Sequence, residues 1–164
     1  MKTLILIRHA KSDWPENTED FDRPLAEIGE TNALKMAKFL KENDVKIDKF
    51  ITSPALRALN TCKIFNQCYL NDIETNRKLY NPNESSFESV IYDLPEEVES
   101  VAMFSHNNGI SNFANMMSEQ VLSLPTCGVA GFTIECDTWA DFDGARKKLS
   151  FFYEPKSISE KKPS

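Results

Sequence analysis

The run Leu4-Ile5-Leu6-Ile7 is short, apolar and free of charge, and it ends on Arg8-His9. An apolar run of this length bounded by polar residues reads as a core strand. It therefore delivers a guanidinium and an imidazole together to the point where the strand stops. In an open α/β sheet that is where ligands collect, and an Arg-His pair there suits a site that handles phosphate.

The rest of the chain alternates strands and helices. Residues 3–8 form the first strand, and residues 9–24 a long polar loop broken by Trp14-Pro15 and Asp22-Arg23-Pro24. The spacing of Ala33, Met36, Ala37 and Leu40 predicts a helix over 26–43. A second strand covers 48–52. Ser53-Pro54 then opens a helix towards Cys68, with serine as its cap and proline in its first turn. A short strand at 72–75, a loop at 79–83 and a helix at 86–94 follow. Residues 100–105 form a further strand and residues 108–119 a helix. Residues 129–136 and 148–153 form a late pair of strands. This alternation predicts an α/β fold, a three-layer sandwich with a mainly parallel central sheet flanked by helices. The expected organisation is a single domain over residues 1–155, with a frayed tail at 156–164.

Composition limits the function. The 164 residues carry a formal net charge of −6, which argues against general nucleic-acid or anionic-membrane binding. An anionic substrate then needs a local cluster of cations. A chain of this length buries roughly 70% of its unfolded surface, so it needs no disulfide or metal staple. The four cysteines, Cys62, Cys68, Cys127 and Cys136, form no Cys-x-x-Cys, and there are two histidines, so no metal site is expected. Cys62 reads as a small core hydrophobe. No apolar segment is long enough to span a membrane, and Met1-Lys2-Thr3 runs straight into the first strand, too short for a signal peptide. A cytoplasmic protein with reduced thiols is the expectation.

The ends of the three best strands carry the chemistry. The first ends Arg8-His9, the second Ser53-Pro54 with Arg57 just beyond, and the third Ser105-His106-Asn107. On one edge of a parallel sheet, two arginines and both histidines of the chain would converge. Arginine presents a planar fork of donors to phosphate oxygens. Helix N-termini near Ser53 and Asn107 would add backbone donors and a partial positive charge. Two arginines and a protonated histidine could neutralise a phosphoryl group in transfer. A neutral imidazole could attack phosphorus and form a transient phosphohistidine. His9, next to Arg8, is assigned the attack and His106 the electrostatic role, though the residues alone do not fix that order. Both count as catalytic, with Arg8, Arg57 and Asn107 as phosphate ligands.

These pieces together resemble the histidine phosphatase superfamily, also called the phosphoglycerate mutase-like superfamily, and within it the SixA-like phosphohistidine phosphatase branch. The matching stretches are Leu6-Ile7-Arg8-His9-Ala10-Lys11-Ser12, Asp22-Arg23-Pro24-Leu25 with Gly29, Ser53-Pro54-Ala55-Leu56-Arg57-Ala58 with Thr61, and Ser105-His106-Asn107. Leu124-Pro125-Thr126 and Trp139 fit the same branch. The resemblance implies that His9 is the nucleophile, that Arg8 and Arg57 bind phosphate, and that His106 completes the pocket. It also implies a metal-independent enzyme without a cofactor. One departure is informative. Where many members carry a glutamate general acid, this chain reads Leu79-Tyr80-Asn81. An alkoxide leaving group needs such an acid far more than an imidazole does. Its loss favours phosphohistidine hydrolysis over sugar phosphate chemistry. Glu84 and Asp13 are the nearest substitutes.

Taken singly, each residue also has a structural reading. Arg57 could be a solvated helix arginine paired with Glu27, His106 a histidine bonded to backbone, and Asp22 with Arg23 a turn and ion pair. Lys11 and Ser12 sit on a loop that could line the site, and Trp14 and Trp139 read as packing residues. Rival phosphatase chemistries fail on spacing. Cys62 is followed at the required distance by Cys68 rather than arginine, and no Gly-x-x-x-x-Gly-Lys loop exists. Two classes remain: a phosphatase acting on phosphohistidine in proteins or on a small phosphorylated substrate, and a non-catalytic phosphate-binding protein. A monomer with a shallow, open pocket is expected in either case.

Overall fold

Six strands form one sheet in the order β3-β2-β4-β1-β5-β6. The structure, a computed structural model, describes residues 1–158. In chain order the strands are β1 (Lys2–Arg8), β2 (Lys49–Thr52), β3 (Ile73–Thr75), β4 (Ser100–Ser105), β5 (Val129–Ile134) and β6 (Lys147–Tyr153). The helices are α1 (Glu27–Glu42), α2 (Leu56–Asn66), α3 (Glu84–Tyr92) and α4 (Gly109–Met117). β1, β2, β3 and β4 run parallel, and the late pair adds antiparallel strands at one edge. The expected three-layer, mainly parallel α/β sandwich is the fold observed.

Side-chain alternation along the central strands builds two cores. Ile5, Ile7, Ala102 and Phe104 face α1 and α2 through Ala33, Met36, Leu40, Cys62 and Phe65. Leu4, Leu6, Val101 and Met103 face α3 and α4 through Phe87, Ile91, Ile110 and Phe113. Leu4, Ile5, Leu6 and Ile7 are all fully buried. At about 1.5–3 kcal/mol for each such side chain, this run fixes β1 at the centre of the sheet. Cys62 sits in the core as expected, and burial pushes its thiol pKa up. Trp139 is fully buried with its indole N–H donating to the Val98 carbonyl at 2.8 Å.

Several expectations need correction. α2 starts at Leu56 with Ala55 as its N-cap, and no side chain caps it. Ser53 is not the cap: it lies two residues before Ala55, from whose N–H its hydroxyl accepts at 3.2 Å, and the same hydroxyl also meets His106, as described below. Trp14 does not pack inside: it is 62% exposed and lies against the Arg23 guanidinium, 4.4 Å from ring centroid to Cζ. The tail assigned to 156–164 lies mostly outside the described residues. Of its described residues, Ile158 is buried against the α1/α2 core.

The long loop after β1 is pinned rather than loose. Ala26 N–H donates to the Lys11 carbonyl at 2.9 Å, Asp13 N–H to the Pro24 carbonyl at 2.9 Å, and Ser12 pairs with Leu25 in an isolated bridge. Gly29 makes this possible: a Cβ there would sit 2.1 Å from the Lys11 carbonyl oxygen. Among the described residues no helix is long and apolar enough to cross a membrane.

Candidate functional site

The register of the central strands assembles the site. Arg8 of β1 pairs with Ser105 of β4, and Thr52 of β2 pairs with Phe104. His9, Ser53 and His106 therefore follow directly on three neighbouring strand ends. His9 N–H donates to the Ser105 carbonyl at 3.1 Å, and Ser53 N–H to the Phe104 carbonyl at 2.9 Å. The two imidazoles meet with ring centroids 5.3 Å apart and planes tilted by 51°. Around them lies a pocket of about 440 Å³ lined by Arg8, His9, Lys11, Ser12, Asp20, Arg23, Arg57, Asn81, His106, Asn107 and Thr126. All five residues singled out from the sequence line it. Its floor is buried, with His9 at 7%, Arg57 at 6% and His106 at 5% exposure, whereas Lys11, Asn81 and Asn107 on the rim are exposed.

Hydrogen bonds orient each group. His9 Nδ1 lies 2.7 Å from the Ala10 carbonyl. A carbonyl only accepts, so Nδ1 carries the proton and Nε2 keeps its lone pair. Ala10 is held in turn. Its N–H donates to the Thr61 hydroxyl at 3.0 Å, and that hydroxyl donates to the Arg57 carbonyl at 2.7 Å. Thr61 thus ties the His9 turn to the helix that carries Arg57. His106 Nε2 is hydrogen-bonded to Ser53 Oγ at 2.7 Å. Arg8 Nη1 donates to the Leu124 carbonyl at 3.0 Å. The Asn107 side-chain oxygen accepts from the Ser111 hydroxyl, which leaves its amide N–H groups free to donate. Arg8 Nε, Arg57 Nε and His106 Nδ1 are buried without partners, all three on residues that line the pocket. Buried polar atoms without partners are rare in folded proteins, and these three have unmet capacity to hydrogen-bond a ligand or water.

The electrostatics favour an anion. Four cations, Arg8, Lys11, Arg23 and Arg57, line the pocket with one carboxylate, Asp20. The local cationic cluster required by the net charge of −6 is therefore present. Burial pushes the His9 pKa down to about 4, and Arg57, Arg8 and Arg23 add to the fall against the opposing bond to Ala10. Burial likewise pushes His106 down to about 3, with His9 and Arg57 contributing. With these pKa values both imidazoles are neutral at pH 7. Burial lowers the Arg8 pKa too, but a guanidinium stays charged.

Asp20 is the residue that sequence reasoning missed. It sits in a short 3-10 turn over Asp20–Asp22. Its backbone carbonyl accepts from Arg57 Nη1 at 2.6 Å, and its Oδ2 accepts from Arg57 Nη2 at 3.1 Å and from the Tyr80 hydroxyl at 2.7 Å. Burial alone would raise the Asp20 pKa, but the bonds from Tyr80, Arg57 and Arg23 outweigh it and hold the carboxyl below its usual range. The partner of Arg57 is therefore Asp20, not Glu27, and the ion pair of Arg23 is with Asp20 at 3.4 Å, not Asp22. Glu84 and Asp13, the candidate acids, are exposed and do not line the pocket. The only hint of Asp20 in the sequence is an acidic cluster in a loop.

Fold and site together define an α/β protein with a cationic, two-histidine pocket at the carboxyl edge of its parallel strands. The chain belongs to the histidine phosphatase superfamily (branch 1), whose family model matches residues 4–108. An uncharacterised chloroplastic protein of Arabidopsis thaliana, At3g52155, is 26% identical over 153 residues, 85% of this chain and 70% of that one. A 2,3-bisphosphoglycerate-dependent phosphoglycerate mutase of Pelagibacter ubique is 37% identical over 90 residues, 53% of this chain but only 37% of the mutase. Among solved structures, the Agrobacterium tumefaciens protein described as a phosphohistidine phosphatase, SixA, superposes with a TM-score of 0.81 at 26% identity. That match covers 94% of this chain and 98% of the other. A protein histidine phosphatase SixA bound to tungstate shares the fold with a TM-score of 0.82 at 22% identity, covering 96% and 99% of the two chains.

Proposed function

We propose that this protein is a phosphatase that removes the phosphoryl group from phosphohistidine on a protein. The reaction runs through a covalent phosphohistidine on His9. The observation that carries the reading is the state of His9: neutral, with Nδ1 tied to the Ala10 carbonyl and Nε2 free beside two arginines on a pocket floor. Such a nitrogen needs no general base to attack phosphorus. Arg8 and Arg57 draw charge from the phosphoryl oxygens as the transition state forms. The free amide N–H groups of Asn107 are further phosphate donors. His106 stands beside the reacting centre, and an arriving dianion raises its proton affinity, so that it becomes a cation when charge builds up. Water then attacks the phosphoryl group on His9 and releases inorganic phosphate. No step in this scheme calls on a metal or cofactor.

The phosphohistidine reading draws on the missing glutamate, on the exposed rim that admits a side chain of a folded protein, and on the likeness to SixA proteins. The free thiols of Cys62, Cys68, Cys127 and Cys136 fit a cytoplasmic protein, and a monomer suffices because one chain lines the whole pocket. The test mixes the protein with a phosphohistidine peptide, follows phosphate release and traps the labelled enzyme. Wild type should turn over and carry an acid-labile, base-stable label that His9→Ala lacks. Equal release by both proteins would discard His9 as nucleophile. Binding of phosphate without release from any substrate would leave a phosphate-binding protein.

A further inference from the structure

We infer that Asp20 selects phosphohistidine over phosphate esters by accepting the second ring N–H of the departing imidazole. The inference rests on the function proposed above and names the residue that takes the place of the missing general acid.

Depth in the pocket gives the direction of the reaction. His9 lies on the buried floor, whereas the Asp20 side chain is 40% exposed at the rim. Displacement at phosphorus is in line, so a nucleophile on the floor sends the leaving group towards the rim. Among the described residues Asp20 is the one carboxylate lining this pocket. Its Oδ2 is held by Arg57 and Tyr80, but Oδ1 has only a long contact of 3.4 Å to Arg23. One anionic oxygen is thus left for a donor from the substrate. Tyr80 also packs its ring edge-on to His106, with centroids 5.6 Å apart, so the carboxylate is anchored to the same wall as the catalytic imidazoles.

The chemistry balances without a proton from the protein. A phosphohistidine ring carries the phosphoryl group on one nitrogen, and its other nitrogen is basic. With that second nitrogen protonated and donating to Asp20 Oδ1, the ring is an imidazolium. The Nε2 lone pair of His9 forms the new P–N bond. The old P–N bond breaks, and its electron pair stays on the substrate ring. The ring leaves as neutral imidazole, retaining the proton it brought. Asp20 favours the protonated ring and so makes this leaving group available at neutral pH. A phosphate ester has no second basic nitrogen, and an alkoxide gains nothing from a nearby carboxylate.

The experiment compares kcat/KM for a phosphohistidine peptide and for p-nitrophenyl phosphate in wild type, Asp20→Asn and Asp20→Glu. Asparagine keeps an oxygen for Tyr80 and Arg57 and removes the charge. The ratio of the two kcat/KM values, peptide over ester, should fall at least about tenfold in Asp20→Asn, the scale of one lost charge-assisted hydrogen bond. It should return in Asp20→Glu. Equal losses on both substrates would mean that Asp20 acts only by positioning Arg57, which overturns the inference while leaving the phosphatase reading intact. A wild type that releases no phosphate from the peptide overturns both.

Discussion

Thr61 offers the sharpest test of how the site is held. Its hydroxyl is fully buried, accepts from Ala10 N–H at 3.0 Å and donates to the Arg57 carbonyl at 2.7 Å. Thr61→Val replaces that hydroxyl by a methyl of nearly the same size, so no cavity forms. The Arg57 carbonyl keeps its place in the ladder of α2, and losing one of its bonds costs little. Ala10 N–H is left buried and unpaired, at about 1–3 kcal/mol. The new methyl offsets at most about 0.8 kcal/mol of this. With the offset taken in full the net loss is about 0.2–2.2 kcal/mol, and for a chain of this size each kcal/mol lowers Tm by about 2–4 °C, so a fall of roughly 0.5–9 °C is expected by circular dichroism. The Ala10 peptide also holds the His9 ring, so kcat should drop more than KM rises, because a displacement of about 1 Å can cost on the order of 10²-fold. Thr61→Ser keeps both bonds and should restore the rate. A Thr61→Val protein that melts and turns over like wild type would refute the tether.

Three further outcomes are expected. Both histidines have folded pKa values below the ordinary 6.5, about 4 for His9 and about 3 for His106. The unfolded chain therefore binds more protons between those values, and the stability they contribute is present above pH 6.5 and lost as pH falls towards 4. His9 alone accounts for about 3 kcal/mol at about 1.4 kcal/mol per unit. Denaturant midpoints from pH 7 to 4.5 should fall steeply in wild type and less in His9→Asn, and parallel curves would contradict this. Gly29→Ala places a methyl 2.1 Å from the Lys11 carbonyl oxygen and should destabilise by about 1–3 kcal/mol through overpacking, seen as a lower Tm; an unchanged Tm would rule out the tight contact. Arg57→Ala should weaken inhibition by vanadate at least about tenfold through loss of charge-assisted bonds, and an unchanged inhibition constant would remove Arg57 from the anion site.

The site was legible where one strand end carried several chemical groups in a row. Arg8-His9 and Ser105-His106-Asn107 announce themselves because an apolar strand stops on each, and a parallel sheet then brings those ends together without further information. Asp20 escaped because its meaning comes from Arg57 and Tyr80, 37 and 60 residues away, and a loop offers no periodicity to place it. Ser53 was misread for a related reason. Ser-Pro before a helix is a local capping signal, but α2 starts two residues later than that signal implies, so the Ser53 hydroxyl accepts from the N-cap residue Ala55 rather than from inside the helix, and pairing between β2 and β4 sets the same hydroxyl beside His106. Trp14 was misread because aromatic residues are usually buried, and only the fold of the pinned loop shows that it lies outside, over Arg23.

In the proposed reaction the two histidines and the arginines act on one another through charge, so that no dedicated base is needed. In that scheme Arg8 and Arg57 attract the phosphoryl group, and the positive field they create, added to burial, lowers the His9 pKa. Binding and activation of the nucleophile thus come from one arrangement. When a phosphoryl dianion enters, that field is cancelled, and the balance shifts towards protonation of whichever imidazole is not consumed as nucleophile. With His9 as the proposed nucleophile, held by its Nδ1 bond to Ala10, His106 is the imidazole left to take the charge. The bond from Ser53 to His106 Nε2 leaves Nδ1 as the ring's unpaired position. Replacing either arginine should therefore do two things at once: weaken phosphate binding, and raise the His9 pKa towards 6.5. An arginine variant with weakened phosphate binding and an unshifted acid limb in its pH–rate profile would separate the two effects and break the argument.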